Sequence, residues 1–246
     1  MDRMIYTALS GLDAAMNRQR VIAHNLANAQ TPGFRADGFA TAVLTVRGAG
    51  VEARALAKGA LAGVDLVAGT LVATGDPLHA AVKGDALIAL QGKDGAEVYS
   101  RRGDLSVGAT GVLQNGDGLP VLGREGPITV PPGQPVRIEP DGTVRSADAS
   151  ASGAQPEAFG RIKLASPAGS RILKDQDGML RVPDGILPTD ETATLETGML
   201  EQSNVDLTTV LVDMIEAQRG FERRAKLFAT AGDIDQAGSQ LLSLRP

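Results

Sequence analysis

His24 and His79 are the two imidazoles of a 246-residue chain that has no cysteine, so metal, redox and nucleophilic chemistry have few side chains to draw on. A histidine-dependent triad or a His-rich metal site needs these groups convergent with partners. They stand instead in different contexts, far apart in sequence. His79 reads as a turn or surface residue, and His24 as a packed or capping residue near the end of an apolar stripe. Asp175-x-Asp177-Gly178 begins like a calcium loop, but the later ligands and the closing glutamate are misplaced or missing, so it reads as a turn. Gly48-x-Gly50 lacks the third glycine and the strand–helix setting of a nucleotide fingerprint. No Gly-x-Ser-x-Gly, His-Glu-x-x-His or P-loop occurs. No spacing singles out a carboxylate pair. The expectation is a chain with no catalytic, cofactor or metal site, and not an enzyme.

Composition points the same way. Aromatic residues are 3% of the chain, tryptophan is absent and glycine numbers 30. Small-molecule pockets are usually lined by aromatic and bulky apolar groups, which such a chain can hardly supply. Lys and Arg total 24 against 29 Asp and Glu, a net charge of -5. That balance disfavours a nucleic-acid partner, which calls for a basic surface. Hydrophobic residues reach 43%, but no run of about 18 apolar residues occurs, so no membrane insertion is expected. The first residues also lack the apolar core of a signal peptide.

The elements that position these residues fall into two ends and a middle. Ile5, Leu9, Leu12, Met16, Ala23 and Leu26 recur at three- and four-residue steps, a narrow stripe predicting a helix from about Asp2 to Asn28. Thr31-Pro32-Gly33-Phe34 ends it, because the residue before a proline is pushed to extended geometry. Leu207, Val210, Leu211, Met214, Phe221, Ala225, Phe228 and Ala231 form a second stripe, whose helix Ser203 or Asn204 can cap. Gly220 costs this helix about 1 kcal/mol relative to alanine, but the stripe continues in phase beyond it. Between the ends, Asp94-Gly95, Asp117-Gly118 and Asp141-Gly142 are hairpin dipeptides separating short β-like runs. The predicted fold class is a mainly β central domain with long terminal helices forming a discontinuous, coiled-coil-like domain. Its expected parts are paired helices at 1–30 and 203–246, an extended connection at 31–75, and an all-β domain at 76–202. Two helices alone leave apolar surface wet, so the stripes want neighbours from other chains.

Asn25-Leu26-Ala27-Asn28-Ala29-Gln30-Thr31-Pro32-Gly33-Phe34-Arg35 resembles the N-terminal signature of the flagellar rod and hook axial proteins. Gly198-Met199-Leu200-Glu201-Gln202-Ser203-Asn204-Val205-Asp206 is similar to their second signature. The helix signature follows as Met214-Ile215-Glu216-Ala217-Gln218-Arg219-Gly220-Phe221-Glu222. Gly75–Asp85, Tyr99–Gly103 and Gly118–Gly123 extend the likeness over most of the chain. Gln30, Asp206 and Gly220 depart from the family pattern. The opening Met1–Ala8 and the length most resemble the proximal-rod members.

The resemblance implies a structural subunit of the bacterial flagellar basal-body rod, a hollow torque-transmitting shaft crossing the periplasm. It implies export by the flagellar type III apparatus without a cleaved signal. The implied partners are copies of the chain and other rod proteins, with the terminal helices inside the tube and the β domain outside. Contacts that do not close give helical filaments. The residues expected at the assembly interface are Ile5, Leu9, Leu12, Met16, Asn25, Leu26, Asn28, Thr31, Gly33, Phe34, Ser203, Asn204, Val205, Val210, Met214, Arg219, Phe221 and Phe228. For Asn25 and Asn28, capping and subunit contact both stay open, as do a solvated face and intersubunit ion pairs for Arg219, Arg223, Glu216 and Glu222. The alternatives are a distal-rod or hook-type axial protein and, more remotely, a monomeric β-domain binding module.

Overall fold

The computed structural model describes residues 2–47, 52–147, 157–175, 177–183 and 185–243. Gly48 and Gly50 lie outside the described residues. Two helices bracket a chain that is otherwise β: α1 (Asp2–Ala27) and α2 (Leu207–Ser243). Contacts divide the chain into two units, each with its own packing.

One unit contains residues 1–27, 37–63 and 206–246. It corrects the expected fold class. The terminal helices do not make a coiled-coil-like domain of their own, because a two-stranded ribbon of β1 (Asp37–Arg47) and β2 (Glu52–Val64) belongs to the same unit. The segment 31–75, expected as an extended connection, supplies that ribbon. The helix contact is not a heptad seam either. Residues buried on the helices are mostly small, with Ala14, Ala15 and Ile22 on α1 and Val210, Ala217 and Ala231 on α2. Leu9 of the expected stripe is 48% exposed and Leu211 is 45% exposed. Small residues let two helix backbones approach closely and leave larger side chains turned outward. A knobs-into-holes seam needs the reverse. The ribbon also crowds α1, since a Cβ on Gly59 would stand 3.1 Å from the Ala14 Cα.

Asp206 starts α2: its carboxylate accepts the Thr209 N–H at 2.7 Å, the N-cap pattern. Ser203 and Asn204 were the expected caps, but Asn204 has another task, described below. Hydrogen bonds from Thr209 hold the Asp206 carboxyl below its ordinary value.

The other unit, residues 28–36 and 64–205, is a β assembly. Its strands are β3 (Leu71–Ala73), β4 (Ala80–Val82), β5 (Leu87–Gln91), β6 (Glu97–Ser100), β7 (Ser106–Val107), β8 (Leu113–Gln114), β9 (Val136–Ile138) and β10 (Thr143–Ser146). They continue with β11 (Ala158–Arg161), β12 (Leu164–Ala165), β13 (Leu173–Lys174), β14 (Leu180–Arg181), β15 (Leu195–Thr197) and β16 (Met199–Glu201). The largest sheet is ordered β12-β5-β6-β14-β13, and β11-β10-β9 form a second. Short pairs β15-β4, β16-β3 and β7-β8 complete the unit.

The continuous apolar run at β5 reflects burial on both faces. Ile88 and Leu90 enter one core with Val98, Leu113, Val121 and Val144. Leu87 and Ala89 enter another with Tyr99, Leu180 and Leu187. The Tyr99 hydroxyl, at the second core, donates to Glu97 at 2.8 Å and accepts the Leu187 N–H at 2.7 Å. Burial pushes its pKa up.

Candidate assembly interface

The signature residues of the β unit converge on a single turn. Thr31 donates its N–H to the Asn28 carbonyl at 3.1 Å and its hydroxyl to the Asn28 Oδ1 at 3.2 Å. Pro32 leads into Gly33, whose φ of 67° is the left-handed conformation that glycine tolerates and other residues rarely adopt. Space demands glycine as well: a Cβ there would lie 2.3 Å from the Arg101 carbonyl carbon. Phe34 is buried, with the Lys174 ammonium 3.6 Å from its ring centre. The same ammonium donates to the Arg35 carbonyl at 2.7 Å.

Asn204 ties separate stretches of backbone together. Its Oδ1 accepts the Ala36 N–H at 2.7 Å, while its Nδ2 donates to the Asp65 and Val67 carbonyls at 3.0 and 3.1 Å. One amide thereby joins the start and the end of the unit. Ser203 accepts the Val205 N–H on its hydroxyl at 3.2 Å, a local turn.

Beneath the turn lies a buried ion cluster that the sequence does not announce. Glu201, at the end of β16, is 1% exposed, and Arg35 and Arg101 are each 3% exposed. One Glu201 oxygen accepts from Arg35 Nη2 at 2.5 Å and from the Gly69 N–H at 2.8 Å. The other accepts from Arg101 Nε at 2.8 Å, and Arg101 Nη2 is ion-paired to it, also at 2.8 Å. Arg101 Nη1 donates to the Gly84 and Ala86 carbonyls, and its Nη2 also reaches Val82. Every Arg101 donor group thus has a partner, as a buried guanidinium requires. Burial pushes the Arg101 pKa down, Glu201 raises it, and neighbouring Arg35 lowers it. Arg35 differs: its buried Nε and Nη1 have no partner among the described residues. Two cations face one anion. Glu201 and Arg101 are in the quoted signatures, yet no spacing rule connects Arg35 to a residue 166 positions later.

The helix unit holds the remaining expected residues. Asn25 accepts the Asp37 N–H at 2.8 Å and donates to the Asp37 carbonyl at 3.0 Å, pinning the start of β1 to α1. His24 Nδ1 lies 2.5 Å from the Asp37 carboxylate on the same joint. Leu12 and Leu26 are half-buried on α1, and Met16 is at its surface. Ile5 lies in α1, and its side chain is outside the described residues. On α2, Val210 is buried, Met214, Phe221 and Phe228 are half-buried, and Arg219 is exposed. Arg219 and Arg223 line a groove of about 470 Å³ with Arg18, Arg224 and Glu216. Missing from the expected set are Tyr6, Val212, Ile215, Leu227 and Ile234, which are 49–65% exposed. Their apolar character at a polar-face position was the available signal.

Among the described residues no group of three or more His, Asp or Glu could hold a metal ion, and no helix is long and apolar enough to cross a membrane. The two signatures brought to one turn are those of the flagellar axial proteins. Three family models match: flagella basal body rod protein over residues 5–35, the flagellar hook protein FlgE/F/G D1 domain over 81–146, and the flagellar basal body rod FlgEFG protein C-terminal region over 196–241. Flagellar basal-body rod protein FlgF of Salmonella typhimurium is 36% identical over 99% of this chain and 100% of its own. The FlgF of Escherichia coli matches to the same extent, and FlgG of Bacillus subtilis is 30% identical over 96% of this chain and 97% of its own. The chain belongs to the flagellar basal-body rod protein family.

Proposed function

We propose that the chain is a structural subunit of the flagellar basal-body rod, of the type its relatives named FlgF represent. The observation that carries this reading is the division of labour on the helices. Most of the hydrophobic residues buried on the helices are alanines, while Leu9, Leu211, Ile215, Leu227 and Ile234 stay 45–65% exposed. Large apolar side chains left exposed on both helices suit an interaction surface. Helices that gain their full burial only against neighbours are ordered by assembly.

In this reading the helix unit makes the axial contacts of the tube and the β unit lies outside it. The expected interface residues on α1 and α2 act there. Thr31, Gly33, Phe34, Asn204 and Glu201 instead hold the β unit together and so fix where its surfaces are presented. The partners are copies of the chain and related axial proteins, delivered by the flagellar type III export apparatus to the basal body.

The test is made in the bacterium that encodes the chain. Deleting the gene should abolish swimming, and basal bodies isolated from the parent should carry antibody label on the rod. A swimming deletion strain whose parent shows an unlabelled rod would overturn the reading.

A further inference from the structure

We propose that the arginine-lined groove of the helix unit receives Asp233 and Ile234 of a second copy of the chain. The groove measures about 470 Å³. Its floor is made of small buried residues, Ala14 and Ala15 from α1 with Ala217 and Gly220 from α2. Its rim is Arg18, Arg219, Arg223, Arg224 and Glu216, all exposed.

Four arginines meet two carboxylates there. Arg18 lies 3.9 Å from Asp213, which continues the groove face of α2, and Arg224 Nη1 donates to the Gly220 carbonyl at 3.3 Å. Arg219 and Arg223 make no ion pair among the described residues. By the 3.6-residue period, Asp13 and Glu222 fall on the far sides of their helices. With Asp213 counted beside Glu216, the groove keeps a surplus of two positive charges on exposed guanidinium groups, in a chain of net charge -5. Like charges held this close repel one another, and an incoming carboxylate relieves them.

The complement lies on α2 itself. Residues 206–218 hold Asp206, Asp213 and Glu216, and each is engaged, in the cap, beside Arg18 or in the groove. Residues 227–243 carry Asp233 and Asp235 and no Lys or Arg. Asp233 is exposed and without an ion pair among the described residues, and its neighbour Ile234 is 49% exposed. An apolar side chain next to a carboxylate matches a floor of small residues beneath guanidinium groups. Ile234 buries against the alanines while Asp233 meets Arg223, so shape and charge select the same occupant. On one helix Asp233 stands about 15 Å beyond Arg223, so only another copy can bring the two together. Parallel copies staggered by that distance repeat the contact without closing it, as a filament requires. That orientation rests on the rod reading; the pairing of groove and acid does not.

The experiment uses the full chain, whose lack of cysteine allows a single nitroxide label on Ala229→Cys, an exposed position one turn before Asp233. Labelled copies are mixed with isotope-enriched unlabelled copies, and amide line broadening in the latter is read by NMR, which registers even weak contacts. Broadening concentrated at Ala14, Ala15, Ala217 and Gly220, and reduced by added salt, is expected. Arg223→Asp in the enriched copy, or Asp233→Arg in the labelled copy, should weaken association by about fivefold, the upper range for an exposed ion pair. Mixing the two variants should restore it, and Ile234→Ser in the labelled copy should weaken it while leaving the salt dependence. Broadening absent from the groove, unchanged by Asp233→Arg, or no stronger for the mixed variants than for either variant with an unaltered copy, overturns the contact. None of these outcomes decides the rod reading, which stands or falls on the gene deletion.

Discussion

Replacing Glu201 by glutamine keeps the side chain's shape and removes the one negative charge between Arg35 and Arg101. An amide also points N–H groups at a guanidinium where the carboxylate accepted three hydrogen bonds. Breaking a buried ion pair by removing one partner costs about 3–5 kcal/mol. Here one anion serves two cations, so the upper part of that range applies. In a unit of this size each kcal/mol shifts the midpoint by about 2–4 °C, giving a fall of about 8–20 °C. The chain has no tryptophan and two tyrosines, and Tyr99 lies in the second core. In a Tyr6→Phe background Tyr99 is therefore the sole intrinsic reporter of the β unit. Urea unfolding followed by its fluorescence measures the loss directly. The reference is Glu191→Gln, whose partner Arg124 is 57% exposed and which should lose at most about 1 kcal/mol. If the two variants unfold within about 1 kcal/mol of each other, the ion cluster is not the keystone described here.

Gly33→Ala combines a disfavoured φ with a backbone clash, so it should cost about 3 kcal/mol or more. Gly118→Ala, at φ 76° with nothing within 4 Å of the added carbon, should cost about 1–2 kcal/mol. Equal urea midpoints for the two would refute the steric argument. Asn25→Ala removes both bonds to the Asp37 backbone and should release the start of β1, raising amide exchange at residues 37–40 while residues 87–90 stay protected. Ile215→Ser at an exposed position should leave stability within about 0.5 kcal/mol while reducing incorporation into basal bodies; Ala217→Leu should instead destabilise by about 1–3 kcal/mol through overpacking. The cap at Asp206 is acid-sensitive. Its folded pKa is depressed, so its contribution is complete above the ordinary carboxylate value of about 3.9 and is lost as pH falls through the lower folded value. Amides 207–210 should open in that window, and in an Asp206→Asn variant their exchange should lose this pH dependence.

Much of the framework was legible because short-range rules govern it. The α1 stripe and Pro32 bounded a helix that runs Asp2–Ala27, and the Asp94-Gly95 dipeptide lies between β5 and β6. The ribbon of β1 and β2 was not legible. Its alanines, glycines and valines have no firm period. The heptad reading of the helices failed for a related reason: a large apolar residue signals burial somewhere, and the sequence does not say whether within the chain or outside it. Ala14, Ala15 and Ala217 carry the internal contact and have almost no periodic signal of their own. The ion cluster was the hardest to foresee. Arg35, Arg101 and Glu201 look like surface charges individually, and only the meeting of β16 with the 31–35 turn removes them from water.

That meeting also sets an order of events. Glu201 joins residues 100 and 166 positions before it, so a chain delivered N-terminus first cannot close its β unit until nearly everything except α2 has arrived. Contacts so distant in sequence close slowly. Until then Arg35 and Arg101 remain hydrated and the strands they brace are open. The residue that completes the cluster stands five positions before the cap of α2. In sequence, the residue that completes the β unit thus comes just before the start of the last helix.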